Sequence, residues 1–174
     1  MNTHRILAIV AMIVVAAAST LVPHPPNFTP LAAIALFAGA QLNDRRAAFG
    51  VTLGTLLLRD AVIGFHLLMP VVYVCYAINV CLGFWLRSNQ RPWRVAAASL
   101  LGSLIFFLAT NLAVWVTLGA YPLTADGLLR CYVSAIPYLR NTVASDLLYS
   151  VLMFGGFALA QARVPSFRPA AELK

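Results

Sequence analysis

Charge is what this sequence has least of. Only 10% of its 174 residues are Asp, Glu, Lys or Arg and 61% are apolar, against roughly 25% charged and about 45–50% apolar in an ordinary soluble domain. So few charges cannot clothe a water-facing surface, and a disordered chain needs the opposite balance. Acidic residues are scarcer still, 5 against 12 Lys and Arg, for a formal charge of +7 and a pI near 9.9. The basic residues are scattered rather than gathered in a run, so no stripe tracks a phosphate backbone and nucleic acid is excluded as a partner. The cysteines, Cys75, Cys81 and Cys131, are odd in number, without CxxC spacing or a histidine at metal-ligand distance, which argues against a disulfide framework and a zinc site. A Gly-rich phosphate loop, a GxSxG elbow, an HExxH helix and a Ser–His–Asp arrangement are all missing. Any ATP-driven work therefore belongs to a partner, and no intrinsic cofactor is expected.

What is present is a series of long apolar runs. A charge at bilayer depth is costly, so charge-free stretches mark spans. Ile6 to Asn43 holds no Asp, Glu, Lys or Arg, and Pro23, Pro25, Pro26 and Pro30 divide it, because proline removes a backbone donor and turns the preceding residue away from helix. The reading is all-α: an integral membrane six-helix bundle in a single transmembrane domain over residues 1–174, with spans near 6–22, 31–42, 47–65, 71–86, 95–118 and 143–162. Placing the amino terminus, Gln41–Arg46, Arg87–Arg94 and the carboxyl tail in the cytoplasm puts Arg5, Arg45, Arg46, Arg87, Arg91, Arg94, Arg163, Arg168 and Lys174 inside and only Arg59, Arg130 and Arg140 outside. That positive-inside bias predicts both termini in the cytoplasm and a multi-pass protein of a bacterial inner membrane. The second segment, about 18 Å long at 1.5 Å per residue, is shorter than a hydrocarbon layer of roughly 30 Å. It is expected to be enclosed by protein or re-entrant. Ala16-Ala17-Ala18-Ser19 after a basic start fits a signal peptide, but losing this segment would strand Arg45 and Arg46 outside, so it is read as the first span. Ala35 with Gly39 and Gly50 with Gly54 are small pairs that permit close helix approach.

The polar residues left within this scaffold collect at its outer face. The first loop supplies His24, Asn27 and Thr29; the end of the third segment supplies Arg59, Asp60 and His66; Tyr73, Cys75, Tyr76 and Asn79 open the fourth. Positions 75, 76, 79 and 83 share one helical face, which makes Cys75 a candidate soft ligand or nucleophile, or else a packing residue. Cys81 has apolar neighbours one and two turns back and reads as packing. Asn111 and Trp115 lie one turn apart in the fifth segment. The last outer connection carries Asp126, Arg130, Cys131, Tyr132 and Tyr138; Thr124 is placed to cap a short outer helix that Pro137 would close, and such a helix could act as a lid. In the sixth segment Thr142, Asp146 and Tyr149 share one side, and Asp146 needs a partner such as Arg59, Arg140 or a ligand's donor.

Several strings then resemble a known group. PNFTPLAAIALFAGA, RDAVIGFH, TNLAVW and TADGLLRCYVSAIPYLRNT are similar to the substrate-binding S-components of energy-coupling-factor (ECF) transporters, over roughly residues 24–160. The cysteine in VVYVCYAI resembles the solitary cobalamin transporters among them. The resemblance implies a vitamin importer that takes cobalamin (vitamin B12) as bound substrate in an outward cavity roofed by loops. An ECF-type ATPase and coupling module would act in trans, and the lipid bilayer is the other partner. The Cys75 thiolate would coordinate the corrin cobalt base-off and could slowly displace cyanide from cyanocobalamin, with His24 and His66 as competing axial ligands. Asn27, Asp60, Tyr76, Asn79, Asn111, Tyr132, Arg140 and Asp146 are the further candidate contacts. The first segment lacks a clean AxxxA pair for docking a coupling subunit, which favours a solitary mode. Two other readings stay open: another small vitamin with Cys75 as packing, and an intramembrane cysteine enzyme using His66 or Asp146.

Overall fold

Prolines and capping side chains punctuate the chain into helices. A computed structural model describes residues 3–164 and Phe167; Arg168 and Lys174, counted above among the basic residues, lie outside the described residues. The helices are α1 (Thr3–Ala18), α2 (Leu31–Gln41), α3 (Arg45–Ile63), α4 (Met69–Leu86), α5 (Pro92–Thr117) and α6 (Ala125–Arg163), and no strand occurs among the described residues. The Pro30 carbonyl accepts from Ile34 N–H at 2.8 Å to start α2, and the Asp44 carboxylate caps α3 by accepting from Arg46 N–H at 2.8 Å. Prolines in the first turns of α4 and α5 fall where a missing N–H costs nothing.

The shortest helix is the best enclosed. Every residue of α2 except Ala32 is buried, and it packs on α1, α3, α4, α5 and α6. Of the two outcomes expected for this short segment, enclosure by protein is the one observed. Its closest partner is α4: a Cβ added at Gly39 would strike the Val80 carbonyl oxygen, and one added at Gly83 would strike the Leu36 carbonyl oxygen. Only glycine permits that approach. Gly50 and Gly54 border open space, so their spacing does not mark a helix contact here. Behind α2, Phe37 meets Phe154 and Phe157 edge-on at centroid distances of 5.3 and 5.5 Å, beside Ile9 and Ile13 of α1.

Three helices, α4, α5 and α6, are long and apolar enough to cross a membrane, while α1 and α2 are shorter apolar helices. Large apolar side chains such as Val15, Leu58 and Val62 stand exposed on the outside, as a lipid-facing surface requires. Two local expectations are corrected. Pro137 does not close an outer helix: α6 runs through it from the Thr124 cap, where Thr124 Oγ1 accepts from Gly127 N–H at 3.2 Å, to Arg163, with one π-helical turn at Val151–Gly155. Its 39 residues make a rod of about 58 Å. Proline forfeits one helical bond, but residues on both sides of it, Ala135 and Thr142, are buried along one face, and that packing holds the helix together. Cys81 is exposed rather than packed.

Candidate functional site

Three connections meet at one end of the molecule: the proline-rich loop before α2, the α3–α4 turn and the α5–α6 link. They surround a cavity of about 650 Å³ that contains His24, Asn27, His66 and Tyr121 in its rim and wall. The remaining wall comes from helices. α6 contributes Cys131, Ala135, Tyr138, Thr142 and Asp146, spaced three and four apart so that they form one stripe along the helix. The segment expected to act as a lid is therefore the cavity's wall. α5 contributes Phe106, Phe107, Thr110 and Asn111; α4 contributes Val72 and Tyr76; α3 contributes Arg59.

The roof is tied down by a hydrogen bond. Asn141 Nδ2 donates to the Pro26 carbonyl at 3.0 Å, while Ser145 Oγ, which donates to the Thr142 carbonyl at 2.9 Å, lies 3.5 Å from the Asn27 carbonyl. Asn27 itself has φ 61°, a left-handed conformation in which asparagine is one of the few residues at ease. Phe28 rests edge-on against Tyr149 at 6.2 Å.

Of the residues singled out from the sequence, His24, Asn27, His66, Tyr76, Asn111 and Asp146 line this cavity, and Cys75, Asp60, Asn79, Tyr132 and Arg140 do not. Cys75 is 1% exposed, on the adjoining face of α4, and no described side chain hydrogen-bonds its thiol. Asn79 turns inward, donating from Nδ2 to the Cys75 carbonyl at 3.0 Å with its amide against Gly102. Asp60 is fully buried and holds Arg59 at 3.3 Å, so it positions the guanidinium that does reach the cavity. Tyr132 donates to the Leu108 carbonyl at 2.8 Å, and Arg140 is exposed. Asp146, for which Arg59, Arg140 or a ligand's donor was the expected partner, is met among the described residues by neither arginine but by the hydroxyl of Ser103 on α5 at 2.6 Å.

Phe106, Phe107 and Thr110 were not marked by the sequence. The phenylalanines stand among apolar neighbours in α5, and the one signal is proximity to Asn111, with Phe107 one helical turn before it and Thr110 beside it. Tyr76 tilts against Phe106 with centroids 5.6 Å apart, and both rings line the cavity.

The opposite end has a second cavity of about 610 Å³, lined by Arg5, Gln41, Asn43, Arg87, Gln90 and Gln161 among others. Here the polar groups bind one another. Arg87 donates from Nε to the Gly39 carbonyl at 2.8 Å and from Nη2 to the Leu42 carbonyl at 2.5 Å, satisfying carbonyls at the end of α2 that have no helical partner. Its burial, and then the charge of Arg45, lower its pKa from the usual guanidinium value. Gln41 accepts from Arg5 at 3.1 Å and donates to Gln90 at 2.7 Å. No group of three or more His, Cys, Asp or Glu side chains able to hold a metal ion occurs among the described residues.

Residues 1–167 match the profile of a family described as "Family of unknown function (DUF6580)". No curated protein and no solved structure matches the chain.

Proposed function

We propose, for a chain that belongs to the DUF6580 family, that it is a multi-pass membrane protein that binds and imports a small solute through the cavity roofed by its three connections. One observation carries this reading: polar side chains from loop, α3, α5 and α6 converge on a cavity at one end of an otherwise apolar chain, with Asp146 in its lining and paired with no arginine among the described residues. A membrane protein keeps such groups only where they meet one another, water or a ligand. In this reading six spans cross a bacterial inner membrane with both termini inside, and the cavity opens outward. A maleimide that cannot cross the membrane should label a cysteine at position 27 in intact cells and one at position 90 only after lysis.

The solute is cobalamin on the resemblance drawn above, with an ECF-type module in trans as the partner. Cys75 lies one residue from cavity-lining Tyr76. A soft metal with an open axial position suits a thiolate ligand. Purification with cyanocobalamin followed by visible absorption spectroscopy tests this. A bound corrinoid whose shifted base-off spectrum disappears in Cys75→Ala is the expected result; protein that binds no corrinoid removes cobalamin as the solute. The burial of Cys75 outside the cavity lining favours a second reading, in which Cys75 packs the interior and the solute is another small vitamin. A corrinoid-free protein that binds such a vitamin equally well as wild type and as Cys75→Ala would establish it.

A further inference from the structure

The hydroxyl of Ser103 lies 2.6 Å from Asp146 Oδ2 and 3.0 Å from the Ser99 carbonyl oxygen. It has one hydrogen to donate. A backbone carbonyl offers no hydrogen in return, whereas a carboxyl group does when protonated. Both contacts are satisfied when Ser103 donates to Ser99, the familiar back-bond to residue i−4, and accepts from Asp146.

The surroundings agree with that count of hydrogens. Asp146 is 3% exposed, and no ion pair joins it to a cation among the described residues. Around the cavity, α3 presents Arg59, which Asp60 already holds at 3.3 Å; the loop before α2 presents His24; and the α3–α4 turn presents His66. α4 presents Tyr76, the α5–α6 link presents Tyr121, and α6 itself presents Cys131 and Tyr138. The residues that α2 and α5 place in the wall are not titratable. An ionised carboxylate in that setting would lean on one hydroxyl, and its burial would go uncompensated.

We propose that Asp146 is a proton-binding site, holding a proton on Oδ2 while the cavity is empty. Oδ1 is then a neutral acceptor. The floor of the cavity therefore suits a neutral hydrogen donor on the solute, such as a carboxamide N–H, rather than a cation; this consequence rests on the cavity being the solute site, and the proton site does not.

Infrared spectroscopy of the purified ligand-free protein at pH 7 decides the matter without any solute. A protonated-carboxyl stretch, moving in D₂O, is expected in wild type and in the Asp126→Asn control, whose carboxylate is exposed and outside the cavity, and absent in Asp146→Asn. Ser103→Ala removes the partner of that hydrogen and should shift the band. No such band in wild type, or a band that survives in Asp146→Asn, overturns the proposal. Should the Asn variant fail to fold, an unmoved band in Ser103→Ala overturns it as well.

Discussion

The two ends of this molecule hold cavities of similar size, about 650 and 610 Å³, and use polar residues in opposite ways. At the α2 carboxyl end, Arg87, Gln41 and Gln90 are committed to one another and to helix carbonyls. At the loop-roofed end, Asp146 has one hydroxyl partner, Thr110, Asn111 and Thr142 donate to carbonyls one turn back in their own helices, and Tyr76 and Tyr138 face a cavity edged with aromatic rings. A polar cavity between apolar helices can thus serve as a fastening, or leave a buried carboxyl facing its interior. The difference is whether the side chains bond across separate elements, as Arg87, Gln41 and Gln90 do, or within their own helix, as Thr110, Asn111 and Thr142 do.

The contrast can be broken most severely at the crossing that supports both ends. Gly83→Leu drives a side chain into the α2 backbone, and overpacking of this kind costs about 3 kcal/mol or more. Little monodisperse protein should survive size-exclusion chromatography. Arg87→Ala leaves the Gly39 and Leu42 carbonyls without their charged donor, for a loss of about 2 kcal/mol. Thermal unfolding in detergent should show it, with solute binding per folded molecule unchanged. Tyr138→Ala acts at the other end: the ring lines the cavity yet is 45% exposed. Stability should hold within about 0.5 kcal/mol, while affinity for cyanocobalamin falls about tenfold, or about 1.4 kcal/mol, in a titration. Arg140→Ala, exposed and outside the lining, should alter stability by less than about 0.5 kcal/mol and leave the same titration curve in place. An Arg140→Ala effect larger than that of Tyr138→Ala would erase the proposed boundary of the site.

Much of the scaffold was legible before any coordinates. The length of the second segment marked it as either enclosed or re-entrant, with enclosure the outcome, and Thr124 marked the start of a helix. The polar end was visible because polar residues are conspicuous against an apolar background. Pro137 misled because local rules give the cost of a proline without the packing of Ala135 and Thr142 that offsets it. Cys75 and Tyr76 were indistinguishable for a related reason. Neighbours on a helix point about 100° apart, and only the position of α5 decides that the tyrosine faces the cavity while the cysteine faces the interior. The phenylalanines of α5 were hidden for the converse reason: an apolar wall looks like lipid-facing helix until a cavity is found beside it.

Composition and the spacing of prolines and charges determined that the chain is helical and apolar, and at which end its polar residues gather, because those properties follow from solvation of individual side chains along one helix. The partner of Asp146, the continuity of α6 and the different fates of the two cavities depend on which helix faces which. These are distances between residues far apart in the chain, as Ser103 and Asp146 are, and only the packing of α2 against α4 and of α5 against α6 sets them.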